Sequence, residues 1–198
     1  RRAIEDKRGV ASSLYVLGKL RGKRGDVAEQ ERCYVESLKL REELGDQEGI
    51  STSLTGLAIL YGKRGDLAKE EEYYLRALAI DEQLGDKSGV ATLLLNLGAV
   101  HGQKGDFEAQ EANYRRSLKL REELKNKPAI RRAQRALARL DLRAGRLDEA
   151  EAVHREALTM AEAGKKASDV ADARQKLATV DLRRGDLSSA IAHVDAAL

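Results

Sequence analysis

Apolar residues recur along this chain at the spacing of amphipathic helices, and the arrangement returns every forty residues. Within 49–88, two apolar stripes have intervals of mostly three and four residues, which places each stripe on one face of a helix. The stripes consist of Leu54, Leu57, Ala58 and Tyr61, and then of Tyr74, Ala77, Leu78 and Leu84. We therefore predict two helices in each unit, called helix A and helix B, with helix B spanning Leu67–Leu84.

The forty-residue period extends over the whole chain. One column of equivalent positions contains Leu17, Leu57, Leu97, Leu137 and Leu177, and another contains Leu38, Leu78, Leu118, Leu158 and Leu198. A fixed period of this size indicates stacked repeats, in which each unit buries its apolar face against its neighbours.

A glycine followed by a polar residue separates helix A from helix B. The pairs are Gly25-Asp26, Gly65-Asp66, Gly105-Asp106 and Gly185-Asp186, with Gly145-Arg146 as the imperfect member. Glycine can end a helix in the left-handed conformation, and aspartate accepts hydrogen bonds from free N–H groups at the next helix start. Glu29, three residues after Asp26, predicts a capping box. Gly45-Asp46 and Gly85-Asp86 end helix B in the same way, so each unit is predicted to be an antiparallel helical hairpin.

The motif within each unit resembles the tetratricopeptide repeat family. The resemblance lies in Leu57-Ala58 and Tyr61 on helix A, in Gly65-Asp66, and in Tyr74, Ala77 and Leu78 on helix B. Repeats of that family usually have about 34 residues, and the longer unit here is similar to the subclass found in bacterial regulatory ATPases and Pins/LGN-type adaptors. The resemblance implies an all-α fold, a right-handed α-solenoid of five antiparallel helix-turn-helix repeats.

One position departs from the family pattern. Where helix B usually has alanine, this chain has Gln30, Glu70 and Gln110, and alanine appears only at Ala150 and Ala190. The detailed packing of helix A on helix B is therefore left open in the first three repeats. A HEAT or armadillo architecture has a similar period, but it does not explain the recurrent Gly-Asp pair.

We expect one repeat domain with units at about 9–48, 49–88, 89–127, 128–167 and 168–198. Residues 1–8 align with the end of a helix B, as if they were the tail of a preceding repeat. Solenoids normally end in a polar capping element, and neither end of this sequence offers one. We therefore expect the chain to be a segment of a longer protein.

Composition limits the classes of function. Apolar residues make up 42% of the chain but aromatic residues only 4%, so the core must consist of Leu, Ala, Val and Ile. A net charge of +3 gives no reason to expect nucleic acid or a membrane as partner, and no apolar run approaches the roughly 20 residues of a membrane span. Because Cys33 is the single cysteine, we expect a reducing, cytoplasmic location.

By resemblance to the family, certain helix A positions should line a concave groove that binds a protein or peptide. The candidate contacts are Tyr15, Lys19, Thr55, Ile59, Leu95, Asn96, Arg132, Arg135, Arg139, Arg143, Lys176 and Arg183. Thr52 and Thr92 belong to the same wall. In the first three repeats these residues predict a neutral, partly apolar trough, with Tyr15, Ile59 and Leu95 as apolar contacts.

Repeat four changes the character of the chain. Pro128, the only proline, fits the first turn of a helix, where its missing N–H costs nothing. The helix that follows contains a line of four arginines at intervals of three and four residues, here called the arginine row: Arg132, Arg135, Arg139 and Arg143. The row is either a solvated face paired with acids such as Asp172, or a clamp for an acidic or C-terminal carboxylate partner, since arginine presents a planar fork to carboxylates.

The sequence offers no pattern typical of catalysis or of cofactor binding. His101, His154 and His193 stand where other repeats have tyrosine, and no histidine pair has the i, i+4 spacing of a helical zinc site. No glycine cluster resembles a phosphate-binding loop. We therefore expect no metal, no cofactor and no enzymatic activity.

The sequence favours a scaffold that binds a protein or peptide, with an acidic segment against the arginines. A second hypothesis is that the repeats are the sensor or autoinhibitory arm of a larger signalling ATPase or protease. Nucleic-acid binding is disfavoured because no aromatic residues alternate with the arginines. We also expect that the terminal helices can stack end to end on another copy.

Overall fold

The computed structural model describes residues 2–165 and 167–197, and these residues form helices connected by short turns, with no strand among them. The helices are α1 (Arg2–Lys23), α2 (Val27–Glu43), α3 (Gln47–Lys63), α4 (Leu67–Leu84), α5 (Lys87–Lys104), α6 (Phe107–Glu123), α7 (Lys127–Ala144), α8 (Leu147–Ala163), α9 (Ala167–Arg184) and α10 (Leu187–Asp195). The predicted helix B over Leu67–Leu84 is confirmed, and the helices alternate as A and B throughout.

The helices form two compact units, Arg1–Leu120 and Arg121–Leu198. In the first unit, α1 packs on α2, α2 on α3, α3 on α4 and α4 on α5. In the second unit, α7 packs on α8, α8 on α9 and α9 on α10. Each unit is therefore a series of hairpins in which sequence neighbours are also spatial neighbours.

The predicted helix ends form as expected at the Gly-Asp pairs. Gly65 has a φ of 78°, in the left-handed region, and the carboxylate of Asp66 accepts from the N–H of Lys69 at 3.1 Å.

The predicted capping box at Asp26 is only half formed. Asp26 accepts from the Glu29 N–H at 3.2 Å, but the Glu29 carboxylate instead accepts from Arg32 at 3.0 Å. The competing salt bridge on the same helix face explains the difference.

The turn before repeat four replaces glycine by lysine. Lys125 has a φ of 52°, the left-handed conformation that Gly45 and Gly85 adopt at the equivalent turns. Asn126 then caps α7 by accepting from the Ala129 N–H at 3.2 Å. Pro128 lies in the first turn of α7, as predicted.

The predicted leucine columns supply much of the core. Leu57, Leu97, Leu137 and Leu177 are all buried, with 0%, 1%, 8% and 2% of their surface exposed. Leu17, on α1, keeps 39%. In the second column Leu38 is buried, whereas Leu198 lies outside the described residues.

The departure from the helix B alanine has a steric explanation. In the first three repeats a helix A glycine faces the long polar side chain, in the pairs Gly22 and Gln30, Gly62 and Glu70, and Gly102 and Gln110. A Cβ added at Gly102 would lie 2.5 Å from the amide nitrogen of Gln110. In repeats four and five the equivalent pairs are Leu142 with Ala150 and Leu182 with Ala190. In repeat four Leu142 packs against the cluster that contains Ala150, so the larger side chain is on helix A there. In repeat five Leu182 is 56% exposed.

A histidine lies inside the second unit. His154 is only 2% exposed, and within the described part of the chain neither ring nitrogen has a hydrogen-bond partner. Burial lowers the pKa of His154, Lys176 and Arg135 lower it further, and Asp172 partly opposes them. His154 is thus a neutral core residue, in the column that has Tyr114 in the preceding repeat.

The exchange of volume between helix A and helix B predicts coupled mutations. Gly102→Leu alone should cost about 1–3 kcal/mol because the new side chain overlaps Gln110. Adding Gln110→Ala should recover about 1 kcal/mol or more of that loss, since it restores the pairing of repeats four and five. Urea unfolding of the two single variants and the double variant measures this coupling. Strict additivity would contradict the steric explanation.

The environment of His154 predicts a dependence of stability on pH. Because the folded-state pKa is lowered, the unfolded chain takes up a proton first as the pH falls below the ordinary value of about 6.5. Stability is then complete above that value and decreases below it, by up to about 2 kcal/mol at pH 5. His154→Phe should lose less stability than the wild type between pH 7.5 and pH 5, measured by urea unfolding. An equal loss in both proteins would show that His154 is not responsible.

Candidate partner-binding surfaces

The first unit contains a recess of about 570 Å³ between α1, α3, α4 and α5, here called the acidic recess. Its lining residues are Tyr15, Glu48, Ser51, Thr52, Thr55, Asp81, Leu84, Asp86, Ser88, Gly89, Thr92 and Leu93. Tyr15, Thr52, Thr55 and Thr92 were predicted from the sequence to share one wall, and the structure brings these four together. A recess of this size can accept a side chain of a partner.

The charge of the recess differs from the prediction. Glu48, Asp81 and Asp86 are acidic, and of the described residues that line the recess none is basic. The prediction of a neutral trough is therefore wrong for this part of the wall. In repeat two it considered helix A only from Thr52 onwards, whereas Glu48 lies one turn earlier on α3. Asp81 comes from the end of helix B (α4), and Asp86 comes from the turn before α5.

Asp81 is the most buried acid of the recess, with 7% of its surface exposed. Burial raises the pKa of this carboxyl, the hydroxyl of Ser51 opposes the rise, and the charge of Asp86 adds to it. Both carboxylates approach the first turn of α5 over Gly89. A Cβ added at Gly89 would overlap Asp81 and would lie 2.5 Å from an oxygen of Asp86. Glycine at this position therefore permits the two acids to come together.

Tyr15 forms one end of the acidic recess and is held by its neighbours. Its ring stacks on Tyr34 with the ring centres 5.1 Å apart and the planes at 26°. The guanidinium of Arg41 lies 5.4 Å from the Tyr15 ring centre, and the ammonium of Lys19 lies 6.0 Å from it. Lys19 is thus close to Tyr15, although it does not line the recess.

The remaining candidates of the first unit lie outside the recess lining. Ile59 is exposed at 42% of its surface, and Asn96 is half-buried. Leu95 is only 6% exposed, so the structure assigns it to the core and not to the projecting apolar contact that the sequence predicted. Leu93, Leu94 and Leu97 on the same helix are buried as well.

In the second unit the arginine row lies on α7 with all four side chains exposed to solvent. Within residues 2–165 and 167–197, no hydrogen bond or ion pair is formed by Arg132, Arg135, Arg139 or Arg143. The proposed pairing with Asp172 is not seen, because Asp172 accepts from Lys176 on its own helix.

Arg135 and Lys176, both predicted to contact a partner, lie near the same buried histidine. Arg135 on α7 and Lys176 on α9 both lower the pKa of the buried His154, after the larger effect of burial. Their charges therefore lie close to the same ring. Arg183 is exposed near the end of α9, and among the described residues it forms no hydrogen bond or ion pair with the row.

The described residues show neither a cluster of metal ligands nor a membrane-spanning helix. In the part of the chain that the structure describes, no group of three histidine, cysteine or carboxylate side chains could hold a metal ion. The described helices also include none that is long and apolar enough to cross a membrane.

Sequence reasoning missed Asp81 as a functional candidate, although a signal was present. The equivalent helix B positions in repeats one and three are Arg41 and Arg121. All three side chains are buried. A reversal of charge at a buried position of a repeat is therefore the feature that could have identified the acidic recess.

Comparison with known proteins identifies the fold. The family model of the tetratricopeptide repeat matches residues 4–83 and 89–163. BtubC (BKLC) from P. vanneervenii has a similar structure, with a TM-score of 0.83, 28% sequence identity and coverage of 99% of this chain and 85% of that chain. A putative kinesin light chain with nearly identical TPR-like repeats from Podosopora anserina has a TM-score of 0.78 and 14% identity over 94% of this chain and 92% of that chain.

A third similar structure is a Signal Transduction ATPase with Numerous Domains (STAND) protein with a tetratricopeptide repeat sensor, from Pyrococcus horikoshii. It has a TM-score of 0.81 and 18% identity, and the match covers 99% of this chain and 30% of that protein. No curated protein sequence matches the chain.

The family model covers more than half of the chain, and the structural matches extend over nearly all of it. They confirm the predicted fold class, an all-α solenoid of TPR-like hairpins. Repeats of this kind generally mediate protein–protein interactions and are typically not enzymes. The chain belongs to the tetratricopeptide repeat family.

Proposed function

We propose that this chain is a protein- or peptide-binding scaffold whose arginine row contacts an acidic segment of the partner. The observation that carries the proposal is the exposure of four arginines on one helix without hydrogen bonds or ion pairs among the described residues. Most other exposed arginines of the two units are paired with glutamate or aspartate, as Arg116 is with Glu82 at 2.5 Å. The row is therefore available to carboxylates from outside.

Two physical features favour binding by such a surface. Each guanidinium offers a planar set of N–H donors that matches a carboxylate, and the resulting charge-assisted hydrogen bonds are stronger than neutral ones. The row also lies on a helix that is already packed on α8, so little backbone conformational entropy is lost on the receptor side when a partner binds.

Cys33 is buried and free, which supports a cytoplasmic location for this activity.

A second candidate function is a sensor or autoinhibitory arm within a larger signalling protein. The similarity to the Pyrococcus horikoshii protein, whose repeats are a sensor and of which the match covers 30%, favours this candidate. In that case the scaffold would hold a catalytic domain of its own protein until a ligand displaced it. A phosphate-binding loop encoded before Arg1, or a protease motif encoded after Leu198, would distinguish this role from binding in trans.

The arginine row predicts a specific loss of binding. The double variant Arg135→Ala/Arg139→Ala should bind a fluorescein-labelled acidic dodecapeptide with a free C-terminus roughly five- to tenfold more weakly, because two exposed charge pairs are removed. The dependence of affinity on NaCl should become shallower, since fewer charges meet across the interface. Fluorescence anisotropy at 50 and 300 mM NaCl measures both effects.

The matched control is Arg115→Ala/Arg155→Ala, which removes two exposed helix B arginines that pair with Glu111 and Glu151 on their own helices. It has the same change in net charge and should keep wild-type affinity within about twofold. Unfolding curves of the row variant should nearly match the wild type because these side chains form no hydrogen bond or ion pair among the described residues. Equal affinity of both double variants would remove the arginine row from the proposal.

The terminal helices support a further part of the proposal, end-to-end self-association. On α1, Val10, Val16 and Leu20 are each more than half exposed, and on α10 Leu187 and Ile191 expose 63% and 60%. Burying such faces against a second copy would remove apolar surface from water. The sedimentation coefficient should rise with protein concentration, and Leu20→Glu/Ile191→Glu should prevent the rise. A coefficient independent of concentration in the wild type would contradict self-association.

A further inference from the structure

His154 lies beneath the part of the second unit that carries the arginine row. Arg135 of the row lines one cleft with Val153 and Ala157, which precede and follow His154 on α8. The charges of Arg135 on α7 and of Lys176 on α9 both act on the imidazole. A buried titratable group therefore lies next to two residues that were predicted to contact a partner.

The first hairpin shows how the positions of this cluster contact one another. The equivalents of its arginine, histidine and lysine are Tyr15, Tyr34 and Gly56. The rings of Tyr15 and Tyr34 stack with their centres 5.1 Å apart, and a Cβ added at Gly56 would lie 3.3 Å from the Tyr34 ring. The repeat frame therefore places both cationic positions of the second unit directly against the ring position.

The imidazole of His154 is isolated from solvent and from hydrogen-bond partners. Only 2% of the residue is exposed, and neither ring nitrogen has a partner among the described residues. Burial lowers its pKa, the charges of Lys176 and Arg135 lower it further, and the charge of Asp172 raises it. Asp172 already accepts from Lys176, whereas Arg135 forms no hydrogen bond or ion pair among the described residues. The charge of Arg135 therefore remains open to a carboxylate from outside.

A carboxylate bound at Arg135 would change the electrostatic potential at His154. Its negative charge offsets the guanidinium charge that opposes protonation of the ring, so a proton on the ring becomes less unfavourable. The ring is buried, and charges that interact partly through the protein interior are screened less by water and salt than charges on an open surface. Occupation of the arginine row is therefore felt at the histidine below it.

We propose that binding of an acidic partner to the arginine row and protonation of His154 favour each other, so that the second unit holds its partner more tightly as the pH falls. This inference rests on the proposed function of the chain as a scaffold for an acidic segment, and it adds a regulation of that same surface. His154 itself does not contact the partner, because it is buried.

The direction of the effect follows from thermodynamic linkage. A partner that raises the proton affinity of His154 is bound more tightly by the protonated protein, by the same factor. Affinity is constant above the pKa that His154 has in the complex, increases as the pH falls through that value, and becomes constant again below the pKa of the free protein. Because burial lowers the pKa from its ordinary value, the increase should occur below about pH 6.5.

A test without any partner measures the coupling between row and ring. NMR signals of the imidazoles in ¹³C,¹⁵N-labelled protein give the proton affinity of each histidine, and His154 is identified by the signals that are lost in His154→Tyr. Arg135→Ala should raise the proton affinity of His154 roughly threefold or more, because one opposing charge is removed. The matched control Arg143→Ala removes a row arginine about two turns further along α7 and should change it less than about 1.5-fold. Unchanged proton affinity in Arg135→Ala would overturn the coupling, whether or not a peptide binds.

The effect on binding is measured with an amidated dodeca-aspartate that carries a rhodamine label. Its carboxyls have an ordinary pKa of about 3.9 and stay ionised over the range used. Fluorescence anisotropy at 50 mM NaCl should give an affinity about threefold or more higher at pH 5.5 than at pH 7.5. With saturating peptide, the proton affinity of His154 should rise by at least that factor, whereas that of His101 in the first unit should not change.

Variants without the imidazole identify the group responsible. His154→Tyr installs the residue of the three preceding repeats, and His154→Phe provides a second side chain that does not titrate in this range. Both should bind within about twofold of the wild type at pH 7.5 and lose most of the increase at pH 5.5. The matched control is His101→Tyr, the same replacement at a position where the second repeat has Tyr61, which should keep the increase. Circular dichroism melting curves at pH 5.5 show that each variant is folded.

The outcomes separate this inference from the proposed function. If the peptide binds but its affinity increases equally in the wild type and in both folded His154 variants, the inference is wrong and the proposed function stands. If the peptide binds neither at pH 7.5 nor at pH 5.5, both are wrong.

Discussion

The fold depends on the close approach of helix A and helix B within each hairpin. Small residues on helix A make room for a ring on helix B. A Cβ added at Gly18 would lie 2.7 Å from the Tyr34 ring, and one added at Gly98 would lie 2.5 Å from the Tyr114 ring. With so little free volume between the helices, the ring fixes their separation. Every surface described here is positioned by that separation, since the candidate binding residues project from these helices and their turns.

The hairpins keep this separation with two different sets of side chains. One turn further along helix A, glycine faces glutamine or glutamate in repeats one to three, whereas in repeat four Leu142 packs against the cluster that contains Ala150. The polar side chains of the first three repeats also differ in whether they find hydrogen-bond partners. Gln110 donates to the Tyr114 hydroxyl at 3.3 Å, and Glu70 retains a buried oxygen without a partner among the described residues, with a pKa raised by burial. The repeats thus conserve volume between helices more strictly than they conserve polarity.

Most of the fold could be predicted from the sequence, and much of the recess chemistry could not. The period, the Gly-Asp turns and the leucine columns are local or repeated signals, and each was confirmed at residues such as Gly65 and Leu97. The charge of the recess depends on which side chains of helix B and of the turns reach the helix A wall. The prediction for Leu95 was also wrong: Tyr15 and Thr55 of the same column line the recess, whereas Leu95 is 6% exposed. Position within a repeat fixes the direction of a side chain, but the neighbouring repeat decides whether it is covered.

The same reasoning explains why the two candidate surfaces arise where the repeats differ. Where a repeat provides acceptors for a buried donor, the donor is bonded within the protein, as one guanidinium nitrogen of Arg41 is by Gly49 and Ser53. One repeat later Asp81 and Leu93 replace Arg41 and Ser53, so the donor and one of its acceptors are both absent and the recess beside Asp81 is acidic. The arginine row is a different case, in which helix A has four donors while Asp172, the acid considered from the sequence as their partner, accepts from Lys176. In a repeat protein, binding chemistry therefore follows from the mismatch between one copy and the frame that the other copies define.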